Sequence, residues 1–242
     1  MRGIVLAGGK GTRLYPLTRL FNKHLLPVGK YPMIHYSVKK LEEAGVRDIL
    51  LITGKESAGF FAEYFGDGSG FGVRLTYRIQ ERAGGIAEAL SLGEDFVRPG
   101  EKFVVLLGDN LFEDSLAPYV EDFRKQPRGA RVLLKEVQDP SRFGVPIILK
   151  DQIIWIEEKP PMPKSSYCVV GVYMYDSGVF DVIRRIRPSD RGELEITDVN
   201  NVYASEGTLY YNVLSGWWTD AGTFPSFYEA NRNVLMRTEE DA

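Results

Sequence analysis

Cysteine is almost missing from these 242 residues: Cys168 stands alone. A single thiol closes no internal disulfide, which suits a chain made for a reducing compartment. Histidine is nearly as scarce, with only His24 and His35, and no Gly-x-Ser-x-Gly elbow occurs. Those shortages argue against a histidine-rich metal centre and against a Ser–His hydrolase. No apolar run approaches the ~18 residues of a membrane span, and the apolar stretch at the N-terminus is too short for a signal peptide. Neither charge is in surplus: 30 Lys and Arg face 33 Asp and Glu, a net −3. That balance tells against a general nucleic-acid or anionic-membrane binder. A Ser/Gly-rich linker is lacking too, as is any repeat of roughly 20–50 residues. The expectation is a soluble cytoplasmic protein of one large or two small domains, long enough for a sizeable core.

What is present is uneven along the chain. Residues 1–41 carry eight Lys and Arg and no acid, leaving the remainder at a net −11. The same stretch holds a strand-like run, prolines and many apolar residues, so it reads as folded and electropositive. Such a segment suits a small polyanion better than a long polymer.

Gly3–Ala7, Ile49–Thr53, Leu75–Gln80, Phe103–Leu107 and Arg131–Lys135 read as strands, several of them nearly continuous apolar runs as strands buried on both faces should be. Helical spacing fills the gaps at Met33–Ala44, Glu56–Phe65, Gly85–Phe96 and Ser115–Lys125. This alternation predicts an α/β domain with a largely parallel sheet and a ligand at the carboxyl ends of its strands. After about residue 140 the rhythm changes. Strands are expected at Val145–Lys150, Ile153–Ile156 and Val169–Tyr175, then helices at 177–186 and 195–205, a strand at 208–214 and a helix around 225–237. A second lobe packed on the first is expected. The Gly-rich segment 66–72 lacks phosphate-loop spacing and reads as a connection.

Leu6-Ala7-Gly8-Gly9-Lys10-Gly11-Thr12-Arg13 follows the first strand. It fits neither the Walker loop nor the dinucleotide fingerprint. Three glycines in four residues nevertheless let backbone N–H groups close on an oxyanion, and Arg13 adds a forked donor matched to phosphate. Lys23, flanked by apolar residues in the acid-free segment, points the same way, whereas His35 on its amphipathic helix reads as structural. Asp109 ends a buried strand in LLGDN, and Asp220 sits beside a Gly turn before the last helix. Mg²⁺ takes one or two carboxylates plus phosphate oxygens and water, but spacing alone does not say that the two aspartates meet.

LAGGKGTRLYPLT, KHLLPV, the Gln80…Gly85 segment, LLGDN, FGV, EEKP, RGELEITD and Asp220-Ala-Gly-Thr occur in one order between Arg2 and about Ala230. In that combination the chain resembles the sugar-1-phosphate nucleotidyltransferase family. The resemblance implies a Rossmann-like, mostly parallel central sheet flanked by helices, with a smaller sugar-binding lobe. Residues 1–140 would form the nucleotide-binding part, and 141–242 the sugar-phosphate part with the C-terminal helix, packed as one compact unit. It implies Mg²⁺ dependence, no covalent enzyme intermediate, a homo-oligomer (commonly a tetramer), and dTTP and glucose 1-phosphate as substrates, with UTP in place of dTTP, or another base or sugar in the same reaction, as the alternative. A silent relative that only binds nucleotide sugars is the rival from another class; Arg13, Lys23, Asp109 and Asp220 together weigh against it.

By position in the family motifs, Gly8, Gly9 and Gly11 would wrap the nucleotide phosphates, with Leu6 and Thr12 also binding the nucleotide. Arg13 and Lys23 would act on the reacting phosphate, Gln80 and Gly85 would face the base, and Asp109 and Asp220 would hold Mg²⁺. Asn110, Gly144, Glu158 and Val169 would line the sugar pocket, with Lys159 and Arg191 on the sugar phosphate. Two motifs depart from the family pattern: Gln80-Glu-Arg-Ala-Gly-Gly85 lacks Pro-Asp-Gly, and Thr-Asp-Ala-Gly-Thr replaces Leu-Asp-Thr-Gly-Thr.

Overall fold

The computed structural model describes residues 1–240, with side chains through Met236. The strands in chain order are β1 (Arg2–Ala7), β2 (Pro27–Val28), β3 (Tyr31–Pro32), β4 (Asp48–Gly54), β5 (Arg74–Gln80), β6 (Lys102–Leu107) and β7 (Asn110–Phe112). They continue with β8 (Ala130–Glu136), β9 (Gly144–Leu149), β10 (Gln152–Glu158), β11 (Tyr167–Asp176), β12 (Leu209–Val213) and β13 (Trp218–Asp220). The helices are α1 (Met33–Glu43), α2 (Ala58–Phe65), α3 (Ile86–Ser91), α4 (Ala117–Lys125), α5 (Val179–Arg185), α6 (Ile196–Ser205) and α7 (Phe224–Glu240).

Seven strands make the central sheet in the order β12-β8-β11-β6-β1-β4-β5. All neighbours run parallel except β11, which is antiparallel to both β6 and β8. The apolar runs are continuous because both faces are covered. Ile4, Leu6, Leu50, Ile52 and Val105 pack under α3, α5 and α6. Their chain neighbours Val5, Ile49, Leu51, Val104 and Leu106 pack under α1, α2 and α4 on the opposite face. The chain past residue 140 contributes β11 and β12 to this sheet and builds the β9–β10 hairpin beside it, against α6.

Two expected helices are shorter than the pattern suggests. The stretch predicted as Gly85–Phe96 ends its α-helix at Ser91 and resumes as one 3₁₀ turn at Glu94–Phe96. Gly93 lies between them, and a Cβ there would come within 2.6 Å of Ile4 Cδ1, so the break lets the chain press onto β1. Before α2, Lys55–Ser57 is likewise a 3₁₀ turn. The segment 66–72 is a connection, with Gly66, Gly68 and Gly72 at positive φ.

The pairs β2–β3 and β7–β13 were not anticipated. At two or three residues per strand they are too short to show a period. They matter for position: β7 and β13 lie beyond the carboxyl end of β6, where the sheet order reverses between β1 and β6. A crevice opens at such a reversal.

Candidate active site

A cleft of about 360 Å³ lies over the carboxyl ends of β1, β5 and β6. Every candidate site residue named from the sequence lines it except Gly11 and Thr12. Those two shape the turn instead. Gly11 has φ 63 and opens a 3₁₀ turn at Thr12–Leu14. Thr18 Oγ1 donates to the Gly11 carbonyl at 2.7 Å, and Asn22 Nδ2 donates to the Ala7 carbonyl at 2.9 Å. Both ends of the Gly-rich turn are therefore tied to the segment that carries Lys23.

The two glycines at the centre of that turn face different partners. A Cβ on Gly8 would lie 2.2 Å from Gln80 Oε1, and one on Gly9 would lie 3.5 Å from Lys23 Cε. Lys23 starts a short turn capped by Asn22, whose Oδ1 accepts from the His24 N–H at 2.9 Å. Its ammonium is ion-paired with Asp109. Beneath the pair His24 is fully buried, and burial first, then the Lys23 charge, push its pKa down to about 3. It is a neutral packing group at ordinary pH. Gly108 makes room for it, since a Cβ there would sit 2.8 Å from His24 Cδ2.

Asp109 and Asp220 do meet. In the antiparallel pair β7–β13, Asn110 is opposite Asp220, and the Ala221 N–H donates to the Asp109 carbonyl at 2.8 Å. Burial alone would raise the Asp109 pKa, but the Lys23 charge and the hydrogen bonds from Lys23 and Asn110 outweigh it and hold the carboxyl far below its usual range. Asp220 behaves oppositely: burial, then the neighbouring Asp109 charge, raise it to about 6. Arg142 Nη2 is 3.8 Å from its Oδ2, and Arg13 lies close to Gly222 two residues on. A carboxylate whose charged form is disfavoured by burial and by a neighbouring carboxylate is a site that gains from a cation. Among the described residues no cluster of three or more His, Cys, Asp or Glu is assembled. The donor set is thus two carboxylates, which fits Mg²⁺ sharing its remaining positions with phosphate oxygens and water.

Asn110 is braced more than it is available. Its Oδ1 accepts from the Gly171 N–H and from Trp218 Nε1, both at 2.8 Å, while its Nδ2 donates to Asp109 at 3.0 Å. One N–H remains for the cleft.

At the far end, Glu158 stands opposite Gly144 on β10 and β9. Its Oε2 accepts from Thr197 Oγ1 at 2.6 Å, and its Oε1 lies 3.0 Å from Lys159 Nζ. Lys159 holds φ 46, an uncommon conformation for a non-glycine residue and one that recurs at ligand sites. Arg191 reaches Glu195 at 2.8 Å and Glu158 at 3.9 Å. Two cations thus flank one carboxylate, and Val169 lines the same cleft.

At the opposite end, Gln80 closes β5 opposite Gly54 of β4 and is 8% exposed. Gly85, with φ 100, starts α3 against the Leu194 backbone, where a Cβ would lie 2.4 Å from the Leu194 carbonyl oxygen. Sequence reasoning did not single out Arg142, Thr197, Glu195 and Tyr173, which also line the cleft. Arg142 adjoins the FGV motif, and Thr197 and Glu195 lie inside RGELEITD, but nothing in their spacing said which of them would face inward.

The nucleotidyl transferase family model matches residues 2–237. A Bacillus anthracis crystal structure, described as a glucose-1-phosphate thymidylyltransferase in complex with sucrose, is 58% identical with a TM-score of 0.92, covering 96% of this chain and 94% of that one. The glucose-1-phosphate thymidylyltransferase of Neisseria meningitidis serogroup A is 43% identical over 95% of this chain and 81% of its own. A UDP-glucose pyrophosphorylase bound to UDP-glucose superposes with a TM-score of 0.86 at 23% identity, covering 98% of both chains, a likeness of fold.

Proposed function

The chain belongs to the nucleotidyl transferase family, and from that premise we propose that it transfers a thymidylyl group from dTTP to glucose 1-phosphate, releasing pyrophosphate and giving dTDP-glucose. One observation carries the reading. Consecutive glycines bring together two groups suited to opposite ends of a nucleotide, the Gln80 amide over Gly8 and the Lys23 ammonium over Gly9.

The sugar phosphate oxygen attacks the α-phosphorus in line with the departing pyrophosphate. No protein group needs to form a bond; the work is to bring two anions together and to neutralise the charge that builds between them. Lys23 offers three donors and spends one on Asp109, which holds the ammonium over the turn with two left for phosphate oxygens. Arg13 adds a planar fork from the other side. Lys159 and Arg191 grip the incoming sugar phosphate, and Glu158 accepts from sugar hydroxyls. Mg²⁺ held by Asp109 and Asp220 would supply charge neutralisation and orientation of phosphate oxygens.

The proposal extends to a homo-oligomer working in the cytoplasm. Exposed Leu149, Ile154, Trp155 and Met162 around the β9–β10 hairpin support the assembly. No helix among the described residues is long and apolar enough to cross a membrane.

Pyrophosphate release measured with dTTP, UTP, CTP and GTP against glucose 1-phosphate tests the reading. Thymine and uracil differ by one methyl, so a preference of about 10–200-fold for dTTP over UTP is expected, with CTP and GTP poor. A clear preference for CTP or GTP overturns the thymidylyl assignment.

A further inference from the structure

Glu88 belongs to none of the groups assigned above to phosphate, metal or sugar, yet it holds Gln80. Its Oε2 accepts a hydrogen bond from Gln80 Nε2. A carboxylate has acceptors only, so the nitrogen of the amide must face Glu88 and the carbonyl oxygen must face away. Away is toward the cleft: Gln80 Oε1 hangs over Gly8, and both residues line the cavity. Glu88 itself rises from the first turn of α3. Its stem passes under the Gly84–Gly85 turn, so close that a Cβ on Gly84 would lie 3.0 Å from its Cγ.

We propose that Glu88 is a positioning residue for base selection, locking the Gln80 amide so that an acceptor alone meets the nucleobase. The inference rests on the reading that Gln80 faces the base. Thymine and uracil present an N3–H donor to that acceptor. Cytosine presents a bare N3, and two lone pairs would then oppose each other. With Glu88 gone the amide turns over freely and offers its N–H to cytosine. A plainer role is open to any acid in the first turn of a helix, where it stabilises the helix end. That role affects folding and leaves base preference untouched, so the two separate in one experiment.

The experiment compares the wild type with Glu88→Gln and Glu88→Ala, measuring kcat/KM for dTTP, UTP and CTP, with the thermal unfolding midpoint alongside. Glu88→Gln keeps the length and can present either a donor or an acceptor to Gln80, so it should fold like the wild type. The expected result is a fall of about 10-fold or more in the dTTP:CTP ratio in both variants, carried mainly by KM, with the Glu88→Gln midpoint little changed. The unfolding shift caused by dTTP and by CTP reads the same preference without turnover. An unchanged ratio in folded Glu88→Gln overturns the inference, and so does a wild type that favours CTP over both dTTP and UTP. A wild type that uses UTP instead of dTTP overturns the thymidylyl reading only. The ratio is then taken with UTP, whose N3–H is the same, and its fall in the variants still supports the role of Glu88.

Discussion

Two side chains that both feel the Asp109 charge show how one buried cluster assigns opposite fates to its protons. His24 is pushed down to about 3, so the unfolded chain, with its ordinary value of 6.5, takes the proton first. Its contribution to stability is full above about pH 6.5 and is lost as pH falls toward 3. Asp220 is raised to about 6 from 3.8. Its contribution is full below about pH 3.8 and is lost as pH rises through 6. Between pH 4 and 6 the two slopes oppose, and this pair leaves the metal-free protein nearly indifferent to pH. Asp220→Asn removes one slope. The variant should lose stability from pH 6 to pH 4 more steeply than its parent, by up to about 1.4 kcal/mol per pH unit. Denaturant titrations at pH 4, 5 and 6 read the difference, and parallel profiles would sink the account. Arg13 tests catalysis more cleanly than Lys23, because removing Lys23 strands the buried Asp109 carboxylate and confounds folding with activity. Arg13→Ala should cut turnover by ~10²-fold while the unfolding midpoint holds; near-full turnover would make Arg13 a surface residue.

The elements divide into those whose sequence carries a period and those too short to have one. β1, β4, β6 and β8 were legible because both of their faces are buried, which leaves long apolar runs. α1 was legible because Ile34, Val38 and Leu41 share its buried face. The meeting of Asp109 and Asp220 was not, since β7 and β13 are three residues each and 111 positions separate the two carboxylates in the chain. The element that makes the meeting reproducible is the Asn110 amide, which ties β7 to β11 and β13. Asn110→Ala leaves the Gly171 N–H and the Trp218 indole N–H buried without partners. About 2–4 kcal/mol of stability should go, seen as a drop of roughly 5–15 °C in Tm. An unchanged Tm would mean that the brace is ornamental.

For the molecule as a whole, the α/β class followed from alternating patterns, while the position of β11 did not. Val169–Tyr175 read as a strand, but nothing in its residues says that it enters the sheet antiparallel between β6 and β8. That insertion has a consequence for how the chain assembles. Among the described residues β8 makes its sheet hydrogen bonds only to β11 and β12, so when residue 136 leaves the ribosome its strand has nowhere to dock. About forty further residues must follow before β11 is complete, on the order of a few seconds at bacterial-like synthesis rates of about 5–20 residues per second. During that wait both β6 and β8 present bare edges, the form in which strands recruit strangers. A nascent chain halted near residue 160 should therefore associate with itself or with a holdase, whereas one halted just past residue 215, with β11 and β12 in hand, should not. The late strand that closes the gap between β6 and β8 also makes this a fold of high contact order, and slow to form for that reason.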